Sequence, residues 1–170
     1  DWLLCVINKP LAFLITDESY QLTASELEQF NVGIAKMQQG MPLAYLTGNQ
    51  EFWSLIFKVN EHTLIPRPDT EVLVEQTLFW IKANKSKLES SGQNMRLLDL
   101  GTGSGCIAIS LAYELTNNKY YKQDSWQIVA VDVSSAALKV AHENTKLNKI
   151  DNIKFIQSSW YEQLSNDDTN

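Results

Sequence analysis

The spacing of apolar residues changes period twice along the chain, and each change predicts a different kind of element. Leu27, Phe30, Ile34 and Met37 recur every three or four positions, which lines one face of a helix. Thr23-Ala24-Ser25-Glu26 ahead of them matches a capping box, in which hydroxyl and carboxylate satisfy free amides of the first turn, and Gly40 suits the end. Trp2, Leu3, Val6 and Ile7 read as the tail of an earlier helix. From Glu51 to Asn60 the residues become aromatic and β-branched and partly alternate, as in a strand. Asn60-Glu61-His62 supplies a turn and Thr63-Leu64-Ile65 a second arm, so a hairpin is expected. Pro66-Arg67-Pro68-Asp69-Thr70-Glu71 then stops the extended run. Pro68 suits the first turn of a helix, where its missing N–H costs nothing, and Leu73, Val74, Leu78 and Ile81 are expected on that helix's buried side.

From about residue 95 strand and helix alternate. Met95 to Leu100 is a short buried strand, Gly101 to Gly105 a glycine turn, and Cys106 to about Leu115 a helix. Trp126 to Val131 forms a second strand ending at Asp132, Ser134 caps a helix to about Leu147, and Ile153 to Gln157 is a third strand. Residues 84–94 and 116–125 read as polar loops. This alternation makes an α/β fold with a parallel sheet and right-handed crossovers. The expected organisation is a helical domain over 1–42, a β-hairpin connector over 43–66 and an α/β domain over 67–170.

Charge narrows the function. The 170 residues carry a net charge of −6, whereas a protein that grips nucleic acid by its phosphates shows basic excess or a dense basic stripe. Lys82, Lys85 and Lys87 form only a short run that reads as a solvated helix end, so no direct sequence-specific nucleic-acid binding is expected. Two cysteines, Cys5 and Cys106, lie too far apart for a disulfide framework or a metal motif. His62 and His142 stand alone and read as surface histidines. No stretch approaches the ~20 apolar residues of a membrane span. Sparse thiols suit a reducing cytoplasm.

The segment Asp99-Leu100-Gly101-Thr102-Gly103-Ser104-Gly105 carries the chemistry. A strand that ends in glycines before a helix puts a ligand at the carboxyl edge of the sheet, and the glycines let it approach without meeting a Cβ. No Gly-Lys-Ser/Thr follows, so a phosphate loop is excluded. A dinucleotide fingerprint needs Gly-x-Gly-x-x-Gly, yet Cys106 holds the last of those positions and the glycines fall at 101, 103 and 105. Asp132, at the end of the second strand, is placed to accept hydrogen bonds from both hydroxyls of a ribose. It lies further along than the roughly 20 residues of dinucleotide folds, and the polar stretch 116–125 accounts for the extra length.

The form Asp-x-Gly-x-Gly-x-Gly resembles motif I of class I S-adenosylmethionine methyltransferases. With Leu64-Ile65-Pro66-Arg67-Pro68-Asp69-Thr70-Glu71, Pro42-Leu-Ala-Tyr-Leu-Thr-Gly48 and Glu51-Phe-Trp53, the chain resembles more narrowly the protein-(glutamine-N5) methyltransferases, from about residue 20 to Trp160. These methylate the glutamine of the Gly-Gly-Gln motif in peptide chain release factors. The resemblance implies a Rossmann-like methyltransferase domain with an incomplete parallel sheet. It implies S-adenosylmethionine as cofactor, S-adenosylhomocysteine as product and a release factor as protein partner. Gly101, Thr102, Gly103, Ser104 and Gly105 are implied to cradle the methionine and ribose parts, with Asp132 holding the ribose. Trp160 matches an aromatic position beside the adenine, and Arg67 and Pro68 match a turn bordering the pocket.

The chain departs from that family in one respect: no Asn-Pro-Pro-Tyr occurs among its residues. In the family, that Asn side chain and a proline carbonyl receive the protons of the substrate amide and aim its lone pair at the sulfonium methyl. An amide nitrogen is a poor nucleophile, so catalysis there rests on positioning and hydrogen bonding rather than on a strong base. No catalytic residue is therefore assigned, and the 170 residues are expected to be inactive alone. Three other readings stay open at this point: a methyltransferase for a nucleic-acid base amine, a nicotinamide-dependent oxidoreductase and a non-catalytic binding module.

Overall fold

The computed structural model describes residues 1–90, 95–117 and 126–165. The expected polar loops at 91–94 and 118–125 lie outside the described residues. The chain forms two compact units, Asp1–Gly48 and Asn49–Asn170.

The first unit is helical: α1 (Trp2–Ile7), α2 (Phe13–Thr16), α3 (Ala24–Gln38) and α4 (Leu43–Thr47). The capping box forms as expected, with Thr23 Oγ1 accepting from the Glu26 amide and the Glu26 carboxylate accepting from the Thr23 amide. The expected stripe on α3 is only partly inward. Phe30, Ile34 and Met37 are half-buried, but Leu27 is 48% exposed, and Gly33 is the buried centre of the face. The reason lies on α1. The indole of Trp2 occupies the space a Cβ at position 33 would fill, and its Nε1 donates to the Phe30 carbonyl at 3.1 Å. Leu43–Thr47, expected to open the connector, form α4 instead, with Pro42 as N-cap and Gly48 in the left-handed region as C-cap.

The second unit begins with the antiparallel hairpin β1 (Asn49–Phe52) and β2 (Leu55–Lys58). Its turn corrects the sequence expectation. Phe52 pairs with Leu55, so the chain reverses at Trp53-Ser54 and not at Asn60-Glu61-His62. Both turn residues have positive φ, 55° and 57°, the left-handed conformation that two-residue hairpins favour and that Asn-Gly ordinarily supplies. Two acceptors hold it. The Trp53 amide donates to Glu71 at 2.8 Å and its indole Nε1 donates to Glu114 at 3.0 Å. Phe52 and Phe57 pack edge to face beneath the turn, both almost fully buried.

Pro68 opens a 3-10 turn, Pro68–Thr70, as its fixed φ suits, and α5 (Glu71–Ala83) follows. Val74, Leu78 and Ile81 form its inward stripe, whereas Leu73, also expected inside, flanks that stripe and is 53% exposed. Lys85–Ser90 form α6 where a polar loop was expected. The α/β core comprises β3 (Met95–Leu100), α7 (Cys106–Asn117), β4 (Trp126–Asp132), α8 (Ser135–Leu147) and β5 (Ile153–Gln157). All three strands are parallel in the order β3-β4-β5. Central β4 buries Ile128, Val129, Ala130 and Val131 in succession, the continuous apolar run of a strand covered on both faces. Helices α7 and α8 pack on the sheet and on each other, with Ile109, Leu111 and Leu115 reaching the core from α7. No helix among the described residues is long and apolar enough to cross a membrane.

The turn at Trp53-Ser54 holds two L-residues in a conformation that costs roughly 1–2 kcal/mol per residue. Ser54→Gly is therefore expected to stabilise the protein by about 0.5–1 kcal/mol, after the extra chain entropy of glycine is subtracted. Urea denaturation checks it, and a loss of stability would contradict the turn assignment.

Candidate functional site

The carboxyl ends of β3, β4 and β5 meet in one place, and the glycine turn covers them. Gly101, Gly103 and Gly105 have φ of 75°, 55° and 81°, so all three use backbone space that other residues rarely enter. Their reasons differ. A Cβ on Gly105 would lie 2.9 Å from Ile109 Cδ1 and 3.2 Å from Ala141 Cβ, so this glycine lets the loop pass between α7 and α8. A Cβ on Gly101 or Gly103 would meet nothing within 4 Å. Those two face open space and leave bare backbone for a ligand.

Side chains at the strand ends fix the loop. The amides of Gly101 and Thr102 both donate to the Val131 carbonyl at 2.8 Å, which joins the end of β3 to the end of β4. Asp99 is buried beneath the loop and accepts from Thr102 Oγ1 at 2.7 Å. Burial pushes the Asp99 carboxyl above its ordinary value. The Thr102 hydroxyl and the Ala108 amide pull it down, and the charge on Asp132 pushes it up again. Burial also raises the Cys106 thiol to about 11, so Cys106 is a packing residue at the start of α7 and not a thiolate nucleophile.

Asp132 ends β4 and is half-buried. One carboxylate oxygen accepts from the Gly103 amide at 2.8 Å and the other from the Ser134 amide at 2.9 Å. The glycine turn and the acidic residue, read separately in the sequence, are thus bonded to each other. An ionised carboxylate has about four acceptor sites, so two remain for hydroxyls of a ligand. Next to it, Ser134 Oγ accepts from the Ala137 amide at 3.2 Å and caps α8, as its position predicts.

These residues line an open cleft of about 250 Å³ formed by Leu100, Gly101, Asp132, Val133, Ser158 and Trp160 together with Val131 and Ser159. Trp160 is 71% exposed and has a φ of 54°, a costly conformation for a bulky residue. Ser158 accounts for it. Its amide donates to the Asp132 carbonyl at 3.1 Å and its Oγ accepts from the Gln163 amide at 3.0 Å, closing the turn that carries the indole to the cleft edge. Of the residues expected at the site, Gly101, Asp132 and Trp160 line the cleft. Thr102, Gly103, Ser104 and Gly105 form the loop above it, with Thr102 and Ser104 buried. Arg67 and Pro68 are exposed around the 3-10 turn and do not line this cleft.

Sequence reasoning missed several contributors, among them Ser158, Val133 and Asn144. Ser158 was visible only as a hydroxyl following a strand, a position where a serine often bonds a turn. Val133 contributes an exposed apolar wall, 68% accessible. Asn144, in the last turn of α8, is fully buried, and its side-chain amide donates to the carbonyl of Ser104 at 2.8 Å. An asparagine within a helix gave no signal of that role.

The chain resembles known proteins along most of its length. Residues 2–48 match the PrmC N-terminal domain family, and residues 91–169 match a methyltransferase domain family. A release factor glutamine methyltransferase of Shewanella oneidensis is 40% identical over 166 residues, 98% of this chain and 52% of that protein. One of Pasteurella multocida is 40% identical over 160 residues, 94% of this chain and 53% of that protein. A bifunctional methyltransferase of Rickettsia typhi is 40% identical over 171 residues, 94% of this chain and 32% of that protein. The chain spans about half the length of the release factor glutamine methyltransferases it matches.

The glycines divide into testable classes. Gly105→Ala combines steric overlap with a left-handed φ and is expected to cost roughly 2–4 kcal/mol, whereas Gly103→Ala costs only the conformational part, roughly 1–2 kcal/mol. Urea unfolding of both variants checks the order, and the reverse order would contradict the packing described. Asp99 gives a pH signature. Its folded-state pKa lies above the unfolded value, so the stability tied to its protonated form is full at low pH and falls as pH rises through the raised pKa. Relative to Asp99→Asn, the wild type is expected to lose stability from the ordinary aspartate range upward and then to level off. A gap that stays constant across that range would contradict the burial.

Proposed function

We propose, for a chain about 40% identical to release factor glutamine methyltransferases over most of its length, that its α/β unit binds S-adenosylmethionine and serves glutamine methylation of a release factor. The observation that carries this reading is the bare loop Gly101–Gly105, bonded through Gly103 to Asp132 over an open cleft with Trp160 at its rim.

The residues suit that cofactor. Asp132, held by two amides with acceptor capacity left, takes the ribose hydroxyls. Gly101 and Gly103 leave room beside the backbone for the ribose and methionine parts, and the exposed indole of Trp160 offers a flat apolar surface to the adenine. Thr102, Ser104 and Gly105 shape the loop rather than the cleft wall. Arg67 and Pro68, outside the cleft, belong to the 3-10 turn that leads into α5, where Pro68 opens the turn and the Arg67 carbonyl accepts from the Thr70 amide at 2.9 Å.

When bound, S-adenosylmethionine supplies an electrophilic methyl group on a sulfonium. The substrate is proposed to be the glutamine side chain of a Gly-Gly-Gln motif. Nitrogen gains the methyl, the carbon–sulfur electron pair stays on sulfur, and the amide releases one proton. No residue of this chain is assigned to receive that proton, since the Asn-Pro-Pro-Tyr that the resemblance implies is not among the 170 residues. The chain's own contribution is to bind and orient the donor. Transfer by the complete protein to a release factor, followed with labelled methyl groups, tests the activity. Label is expected on the wild-type factor and absent when the motif glutamine is replaced by alanine. Equal labelling of both would overturn the substrate.

The ribose contact has its own test, which separates it from the structural work Asp132 does for the loop. S-adenosylhomocysteine and its counterpart lacking both ribose hydroxyls are titrated against the wild type and Asp132→Ala. Removing the hydroxyls is expected to cost about 1–3 kcal/mol in the wild type and much less in the variant. Equal costs in both proteins would mean that Asp132 does not hold the ribose.

A further inference from the structure

Asn144 lies one layer beneath the proposed cofactor loop. Its side chain is fully buried, and every hydrogen-bonding site of its amide group but one lone pair is used on backbone. Oδ1 accepts from the Lys58 amide at 2.7 Å, while Nδ2 donates to the Lys58 carbonyl at 3.0 Å and to the Ser104 carbonyl at 2.8 Å. Toward β2 the side chain therefore acts as a neighbouring strand would, pairing both the N–H and the C=O of one residue. The same amide also reaches across to the glycine loop. One helical turn on, at the C-cap, Asn148 Nδ2 donates to the Ile56 carbonyl at 3.0 Å, so α8 and its cap together bond alternate carbonyls along β2. An isolated two-stranded hairpin is marginal in water and needs such support.

The contact at Ser104 matters because of what surrounds it. The peptide joining Ser104 to Gly105 also donates the Gly105 amide to the Thr102 carbonyl at 2.8 Å. Gly105 has no Cβ to restrict rotation, so the plane of that peptide is set by its hydrogen bonds. Fixing it fixes the approach to Gly103, whose amide meets Asp132.

We propose that Asn144 is a positioning residue that couples the hairpin to the cofactor loop. Order in β2 and order in the loop then rise together, and cofactor binding tightens the hairpin through Ser104, Asn144 and Lys58. The inference rests on the cofactor reading above and adds a route by which the loop is preorganised.

Hydrogen exchange at the Lys58 amide of the full-length protein, with and without saturating S-adenosylhomocysteine, tests the coupling. Exchange is expected to slow when the ligand binds, although Lys58 does not line the cleft. Calorimetry on variants gives the second readout. Asn144→Ala is expected to bind S-adenosylhomocysteine about tenfold more weakly, since the Ser104 carbonyl loses its buried donor. Asn148→Ala, which loosens the hairpin edge, is expected to weaken binding by an intermediate factor of about three, whereas Glu143→Ala, which removes only the exposed ion pair with Lys58, is expected to stay within about twofold. Unchanged exchange at Lys58 on ligand saturation overturns the inference, and so does a folded Asn144→Ala that binds like the wild type. If Asn144→Ala fails to fold, the wild-type exchange result decides. A wild-type protein that takes up no S-adenosylhomocysteine overturns the cofactor reading itself, and the coupling with it.

Discussion

The carboxylate of Asp132 stands between two backbone amides, Gly103 at 2.8 Å on one side and Ser134 at 2.9 Å on the other, and the architecture of the site follows from that bridge. It ties the glycine loop after β3 to the start of α8 after β4. The ends of two parallel strands and the two helices that leave them become one rigid rim. A charged acceptor suits this position because such bonds are about twice as strong as neutral ones. It also leaves acceptor capacity facing the cleft, so the group that holds the loop is the group proposed to hold a ribose.

A loop with three glycines in six residues from Leu100 to Gly105 has more backbone freedom to lose than any other stretch of its length in this chain, and the structure compensates with side-chain clamps from neighbouring elements. Asp99 holds Thr102, Asp132 holds Gly103 and Asn144 holds Ser104. Each clamp comes from a different element: β3, β4 and α8. All are buried or half-buried, where a hydrogen bond lost leaves a costly orphan behind. A Cβ at Gly101 or Gly103 would meet nothing within 4 Å, so the loop is held by its neighbours and still leaves bare backbone open to a ligand.

The strands and helices of the α/β unit were legible because their signals were local and redundant. The run Ile128–Val131 between Trp126 and Asp132 reads as a covered strand, Ser134 reads as a cap, and Gly101, Gly103 and Gly105 mark a strand-to-helix turn. The hairpin turn was not legible, because Trp53-Ser54 takes a conformation that sequence ordinarily signals with Asn or Gly. Its support comes from Glu71 and Glu114, distant in the chain. The inward face of α3 was misjudged at Leu27 for a related reason: Gly33 is buried only because Trp2 lies on it. In the candidate site, Asp132 and the glycines were read from their places at the ends of expected strands. Asn144 and Ser158 were not, since each acts on backbone whose position only the fold reveals. Trp160 and the turn Arg67-Pro68 came from resemblance, and of these only Trp160 reaches the cleft.

A crystal structure of the full-length protein with S-adenosylhomocysteine tests the central claim most directly. The expected result places the ribose hydroxyls on Asp132 with the ligand lying along Gly101 and Gly103 and its adenine beside Trp160. A ligand bound elsewhere, with that stretch of backbone untouched, would contradict it.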